Sequence, residues 1–206
     1  MSFQILPKII IGEFSKHLLF EKKYDNILVL TSKSIESIHN ISKQVKSELG
    51  SKIKVISDVV PELPFTYVKM LYDRIEIYPD LIIAIGGGSV IDLAKAISVS
   101  SNYDDLVKNF NNSKISLNKK CTLIAVPSTF GTGSETSFGA ILYNDLENIK
   151  GGIRGEELLP EKIILDYRIY KSANPKIMAE AGFDCLTHAI ETYLSTKSND
   201  FTRLNS

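Results

Sequence analysis

The sequence predicts an α/β fold: an open, mostly parallel sheet flanked by helices, followed by the start of an all-helical unit. Residues 81–85 (Leu-Ile-Ile-Ala-Ile) and 121–126 (Cys-Thr-Leu-Ile-Ala-Val) are apolar almost without interruption, which suits strands covered on both faces. Stretches with apolar residues three and four apart alternate with such runs, the pattern of helices returning over a sheet. From Pro175 onward the spacing is plainly helical.

In chain order, residues 27–31 form the first apolar run. Residues 34–49 then carry apolar side chains at 35, 38, 41, 45 and 49, an amphipathic helix. Residues 52–56 read as a second strand. Residues 64–78, apolar at 65, 68, 71, 72 and 75, read as a second helix that Pro79-Asp80 ends. The central strand 81–85 leads into a helix over 90–100, and 121–126 is the next buried strand. Residues 140–145 and 149–153 resemble a hairpin, and 163–166 a last strand. Asn174 is a candidate cap for the final helix, with Pro175 in its first turn.

With 206 residues and 44% hydrophobic content the chain can bury a sizeable core. Twenty-four basic residues balance twenty-four acidic ones, so nothing in the net charge draws it to nucleic acid or an anionic membrane. The opening Met-Ser-Phe-Gln-Ile-Leu-Pro-Lys lacks the pattern of a secretory signal. No uncharged apolar run reaches the roughly eighteen residues of a membrane span. A cytoplasmic protein with neither nucleic-acid nor membrane partner is expected. Cys121 and Cys185 are too few and too far apart for a disulfide framework or zinc knuckle. Both are expected to be reduced packing residues.

Two loops carry the first chemical signal. The central strand runs into Gly86-Gly87-Gly88-Ser89 and then a helix. Glycines there let backbone pass close to a pyrophosphate, whose charge meets the N–H groups of the helix start. Ser89 is expected to cap that helix. Asp92 is expected in its first turn, suited to the dipole and placed to orient a nicotinamide or ribose. The spacing is neither Gly-x-Gly-x-x-Gly nor that of a nucleoside-triphosphatase loop. After the next strand comes Pro127-Ser-Thr-Phe-Gly-Thr-Gly-Ser-Glu135. Consecutive parallel strands present their carboxyl ends on one side, so hydroxyls of Ser128, Thr129 and Thr132 could reach the same ribose or phosphate. Taken singly, the glycine cluster also reads as a plain turn and the second stretch as a flexible serine-threonine loop; the pair favours a nucleotide.

Asp184 and His188 carry the second signal. Four residues apart on a helix, they aim a carboxylate and an imidazole at one point, as two ligands of a divalent metal do. The other histidines, His17 and His39, lie far away in the chain, before the first strand and in the first helix, and read as ordinary surface or helix-face residues. One carboxylate and one imidazole would hold a metal weakly.

Residues 86–95 (Gly-Gly-Gly-Ser-Val-Ile-Asp-Leu-Ala-Lys), 127–135 and 182–191 (Gly-Phe-Asp-Cys-Leu-Thr-His-Ala-Ile-Glu) resemble, in order and separation, the iron-containing (group III) alcohol dehydrogenases. Glycerol dehydrogenase and dehydroquinate synthase share the architecture. The resemblance runs from about residue 3 to the last residue. It implies a Rossmann-like nucleotide-binding α/β domain over residues 1–170, and over 171–206 the first part of an incomplete helical metal-binding domain. Gly87, Gly88, Ser89 and Asp92 fall on the family's cofactor loop, Ser128, Thr129 and Thr132 on its second cofactor loop, and Lys150 on a lysine near the cofactor ribose. Asp184 and His188 match the first two of four metal ligands. The other two are histidines further along in the family, on helices this sequence does not contain, so the resemblance implies a truncated or partial form.

The implied oxidoreductase is a metal-dependent alcohol dehydrogenase or aldehyde reductase, passing hydride between NAD(P)(H) and a small alcohol or aldehyde. Fe²⁺ or Zn²⁺ would act as its Lewis acid. A homodimer or larger homo-oligomer is implied as well. NAD-preferring members tend to carry an aspartate just after the first strand, whereas Thr31 is followed here by Ser32 and Lys33. A neutral residue beside a lysine removes repulsion against a 2′-phosphate, which favours NADP(H) and admits NAD(H). Two other readings remain open at the level of sequence. One is a non-catalytic nucleotide-binding or assembly module. The other is a phosphate-eliminating synthase, which needs basic phosphate-binding residues in the helical half.

Overall fold

Buried parallel strands set the architecture. The computed structural model describes residues 7–18, 21, 23–50, 53–112, 116–204 and 206. Among these, β1 (Lys8–Ile11), β2 (Ile27–Thr31), β3 (Ile53–Ile56), β4 (Leu81–Gly86), β5 (Thr122–Pro127) and β8 (Lys162–Leu165) form a sheet in the order β1-β8-β5-β4-β2-β3. All of its pairings are parallel. β6 (Gly139–Asn144) and β7 (Ile149–Arg154) make a separate antiparallel hairpin.

The period of two in a strand divides each apolar run between two cores. Leu28, Leu30, Ile82, Ala84, Leu123 and Ala125 face α4 (Phe65–Asp73), α5 (Gly88–Val99) and the hairpin. Ile27, Val29, Ile83, Ile85, Ile124 and Val126 face α1 (Phe14–Leu18) and α3 (Ile41–Leu49). Every residue of β4 is buried, and each such Leu or Ile side chain stabilises the fold by about 1.5–3 kcal/mol. α6 (Tyr103–Asn109) extends the first core through Leu106. α7 (Tyr167–Tyr170) extends the second through Ile169.

Several boundaries differ from the sequence reading. The helix expected over 34–49 is two, α2 (Lys33–His39) and α3. Asn40 sits between them at φ 49°, ψ 49°, a left-handed conformation that asparagine tolerates better than most residues. The Glu36 carboxylate holds the break by accepting from the Ser42 amide at 3.0 Å. The helix expected to reach residue 78 ends at Asp73, where the Arg74 guanidinium turns to the Asp58 carboxylate at 2.9 Å. β1 was not foreseen; its register pairs Ile9 with Ile163 and Ile10 with Ile164 at one edge of the sheet. The second strand begins at Ile53, and residue 52, where the sequence reading starts it, lies outside the described residues. Cys121 is buried as expected, but Cys185 is exposed.

The last helical stretch comprises α8 (Pro175–Leu194) and α9 (Asp200–Leu204). Asn174 caps α8, its Oδ1 accepting from the Ile177 amide at 2.9 Å, and Pro175 occupies the first turn. None of the residues of α8 is buried. Among the described residues no helix is long and apolar enough to cross a membrane.

The strand order has one functional consequence. From β2 the chain steps outward to β3, then returns to place β4 on the other side of β2 and β5 beyond it. The direction reverses between β2 and β4, and the two connections leave a crevice outside their carboxyl ends.

Candidate functional site

A cleft of about 620 Å³ occupies that crevice. The start of α2, the residues after β3, the glycine loop, Ser128 and Thr129 line it, and the segment entering α8 closes it. β4 delivers the glycine loop directly: Gly87 is the residue capping α5, and no side chain satisfies that helix start. Unoccupied amide donors at a helix N-terminus, with the positive end of the dipole, suit an anion.

Ser89 lies inside the first turn of α5 and does not cap it, a correction to the sequence reading. Its Oγ accepts from the Glu62 amide at 3.3 Å, pinning the residues after β3 against the loop. The helix begins at Gly88, so Asp92 falls in the second turn, and the first-turn dipole argument does not apply to it.

The two loops face each other. The Ser128 amide donates to Gly86 O at 2.9 Å. A Cβ placed on Gly87 would stand 3.5 Å from Thr129 Oγ1 and 3.9 Å from Ser128 Oγ; one on Gly88 would stand 3.0 Å from Ser134 Oγ and 3.4 Å from Thr132 Oγ1. Hydroxyl groups from the second loop thus stand beside the space that a Cβ on either glycine would enter. At the far side of the cleft Ser32 caps α2, its Oγ accepting from the Ile35 amide at 3.4 Å and lying 3.0 Å from Ser34 Oγ. Lys33 is part of the same wall. Lys150 does not line the cleft: it is exposed on β7, its Nζ 4.0 Å from Glu62 Oε1.

Asp92 sits beneath the loop, turned to the hairpin. Its Oδ2 accepts from the Ile141 amide at 3.0 Å, and its Oδ1 is buried without a hydrogen-bond partner. Burial pushes this carboxyl up to about 6. One turn on, Lys95 is fully buried. Its Nζ donates to Ser137 O at 2.8 Å, Ser137 Oγ at 2.9 Å and Gly139 O at 2.8 Å. Burial lowers Lys95 to about 8, opposed by the nearby charges of Asp92 and Glu135. Burial also raises the Glu135 carboxyl. The sequence reading gave Lys95 no role, although a lysine within an otherwise apolar helix was the visible signal.

Asp184 and His188 share one face of α8, with His188 Nε2 3.7 Å from Asp184 Oδ1. The His188 Nδ1 lies 3.3 Å from Gly131 O. A carbonyl only accepts, so a hydrogen bond at this contact uses the Nδ1–H tautomer, in which Nε2 is the nitrogen free to bind a metal. Gly131 itself, at φ 145°, brings the second loop against α8: a Cβ there would fall 2.0 Å from Ala181 O. Beside this contact the Phe130 and Tyr170 rings stack at 3.5 Å between centroids.

The pair therefore offers a carboxylate and an imidazole on one helix face. Among the described residues no group of three or more His, Cys, Asp or Glu side chains converges as metal donors. His39 is engaged elsewhere, its Nε2 2.7 Å from Ser172 Oγ. The residues present fit part of a divalent-metal donor set and do not complete one.

The family model for iron-containing alcohol dehydrogenases matches residues 7–167. An alcohol dehydrogenase of Thermococcus barophilus is 32% identical, covering 97% of this chain and 56% of its own length. An NADPH-dependent butanol dehydrogenase of Clostridium saccharobutylicum is 32% identical over 75% of this chain and 41% of its own length. The solved structure of a sulfoacetaldehyde reductase from Bifidobacterium kashiwanohense in complex with NAD⁺ superimposes with a TM-score of 0.81 at 25% identity. It covers 95% of this chain and 54% of that one. The chain spans about half the length of the relatives it matches.

Proposed function

The chain belongs to the iron-containing alcohol dehydrogenase family, and on that premise we propose that it supplies the cofactor half, and two metal donors, of a metal-dependent alcohol dehydrogenase or aldehyde reductase. The observation that carries this reading is the glycine loop at the strand-order reversal, with Ser128, Thr129 and Thr132 grouped at Gly87 and Gly88. The pyrophosphate of NAD(P)(H) lies on the start of α5, and the second-loop hydroxyls donate to ribose or phosphate oxygens. Ser89 adds an oxygen at the same edge. Asp92 acts from below, through the hairpin strand it holds. Lys150 reaches the cofactor ribose from the rim when its contact with Glu62 opens.

Cofactor choice falls at the far end of the cleft. Ser32 and Ser34 present hydroxyls and Lys33 a cation where a 2′-phosphate would sit, so NADP(H) is favoured over NAD(H). The proposed division places the nucleotide-binding domain at residues 1–170 and the metal-binding helices at 171–206. Asp184 and His188 are the chain's contribution to an Fe²⁺ or Zn²⁺ site. Among the described residues no third donor joins them, and the ion when bound would supply Lewis-acid chemistry. The chain's own residues hold the dinucleotide, set the His188 ring beside Gly131 O, and bring α8 against the second loop, the positioning part of catalysis. The substrate is a small alcohol or aldehyde, the location the cytoplasm, and the assembly a homodimer or larger.

A narrower reading, a nucleotide-binding or assembly module without turnover, is favoured by one observation: among the described residues no third His, Cys, Asp or Glu joins Asp184 and His188 as a metal donor. One assay separates them. The chain is titrated with NADPH and NADH by cofactor fluorescence, then given Fe²⁺, NADPH and butyraldehyde. The enzyme reading expects saturable binding, tighter for NADPH, and aldehyde-dependent loss of reduced-cofactor absorbance that His188→Ala abolishes. Binding without turnover assigns the narrower role. Absence of binding contradicts the enzyme reading and the nucleotide-binding form of the narrower one.

A further inference from the structure

We propose that Lys95 is a positioning residue for the dinucleotide, its buried ammonium fixing the distance between the glycine cradle and the second loop. The inference rests on the cofactor reading above and deepens it. An ammonium has three donors and no acceptor; here all of them are used, on Ser137 O, Ser137 Oγ and Gly139 O. Burying an unpaired ammonium is strongly unfavourable, so this saturated geometry is held tightly.

The clamp leads back to the cleft in short steps. Ser137 Oγ lies 3.4 Å from Ser134 O. The Ser134 amide donates to Thr132 Oγ1 at 3.3 Å. Ser134 and Thr132 are the side chains that a Cβ on Gly88 would meet at 3.0 and 3.4 Å. The second loop is therefore suspended between two points of one helix: Gly88 at its first residue and Lys95 two turns below. Asp92, between them, holds the Ile141 amide and so the start of the hairpin. α5 thus carries the phosphate cradle and also sets where the opposing hydroxyls stand. Lys95 does not line the cleft; it acts through its hydrogen bonds to Ser137 and Gly139, with Asp92 Oδ1 4.0 Å from its Nζ as counter-charge.

The test compares the wild-type chain with Lys95→Met, which keeps the length and removes the donors, and with Ser137→Ala, which removes one acceptor and leaves every buried charge in place. Two probes are titrated: NADPH, which spans both loops, and 2′,5′-ADP, which lacks the nicotinamide half. Deuterium exchange is followed over residues 132–141. Lys95→Met is expected to weaken NADPH by about tenfold or more while leaving 2′,5′-ADP within about twofold. Exchange over 132–141 rises in both variants, less in Ser137→Ala, and β4 and β5 stay protected. Should Lys95→Met fail to fold, the Ser137→Ala exchange pattern and its NADPH affinity decide the matter. Equal weakening of both probes, or exchange over 132–141 that is the same in both variants as in a wild type that binds NADPH, overturns the positioning role alone. A wild-type chain that binds neither probe overturns the parent reading, and this role with it.

Discussion

Gly87→Ala leaves the chain folded and lowers NADPH affinity by about a hundredfold, the loss that a methyl group in a backbone phosphate cradle should produce. The backbone at Gly87, φ −77° and ψ −172°, is open to any residue. The added Cβ meets nothing closer than Thr129 Oγ1 at 3.5 Å, ordinary van der Waals contact. Alanine is a poorer cap than glycine but restricts the unfolded chain, two effects of about 0.5–1 kcal/mol that nearly offset each other. Stability and binding should therefore separate. A melting temperature within a few degrees of wild type, together with a lost fluorescence titration, is the expected pair of results. Undiminished NADPH affinity removes Gly87 from the site.

Gly131→Ala acts oppositely, on structure first. Its φ of 145° lies where L-residues are strained, and its Cβ would fall 2.0 Å from Ala181 O and 2.7 Å from Ala181 C. Both obstacles are backbone, so neither can rotate away, and the second loop and α8 must separate. The His188 Nδ1 contact with Gly131 O goes with them. The expected loss is about 3 kcal/mol at this contact, seen as faster deuterium exchange across residues 175–194 with the sheet strands unaffected. Unchanged exchange in α8 would show that the loop does not hold the helix.

How much of this was legible in the sequence depends on how local the determining interaction is. The central strands of the sheet were readable because a strand buried on both faces needs an uninterrupted apolar run, which β4 and β5 have, whereas the edge strand β1 is mostly exposed and was missed. The glycine loop was readable because strand, turn and helix adjoin in the chain. The Asp184–His188 pair was readable because four residues make one helical turn, and so was the lack of further histidines. What escaped depends on partners distant in sequence. Asp92 looked like a first-turn carboxylate facing a ligand; its acceptor role is set by Ile141, on a hairpin that the chain forms only later. Lys95 looked like part of a motif without a task, since its acceptors lie at Ser137 and Gly139. Gly131 read as one more small residue in a flexible loop, and only the approach of Ala181 shows why a side chain does not fit. The break at Asn40 is a local event, but periodicity runs through it unbroken, so apolar spacing alone could not mark it.

The central claim, that a dinucleotide lies in the crevice where the strand order reverses, is tested most directly by mapping backbone amide protection on adding NADPH to the chain. The account predicts protection at residues 32–34, 86–90 and 128–134. Protection confined instead to residues 53–54 and 75–77, in the hollow of about 410 Å³ at the amino ends of β2 and β3, would contradict it.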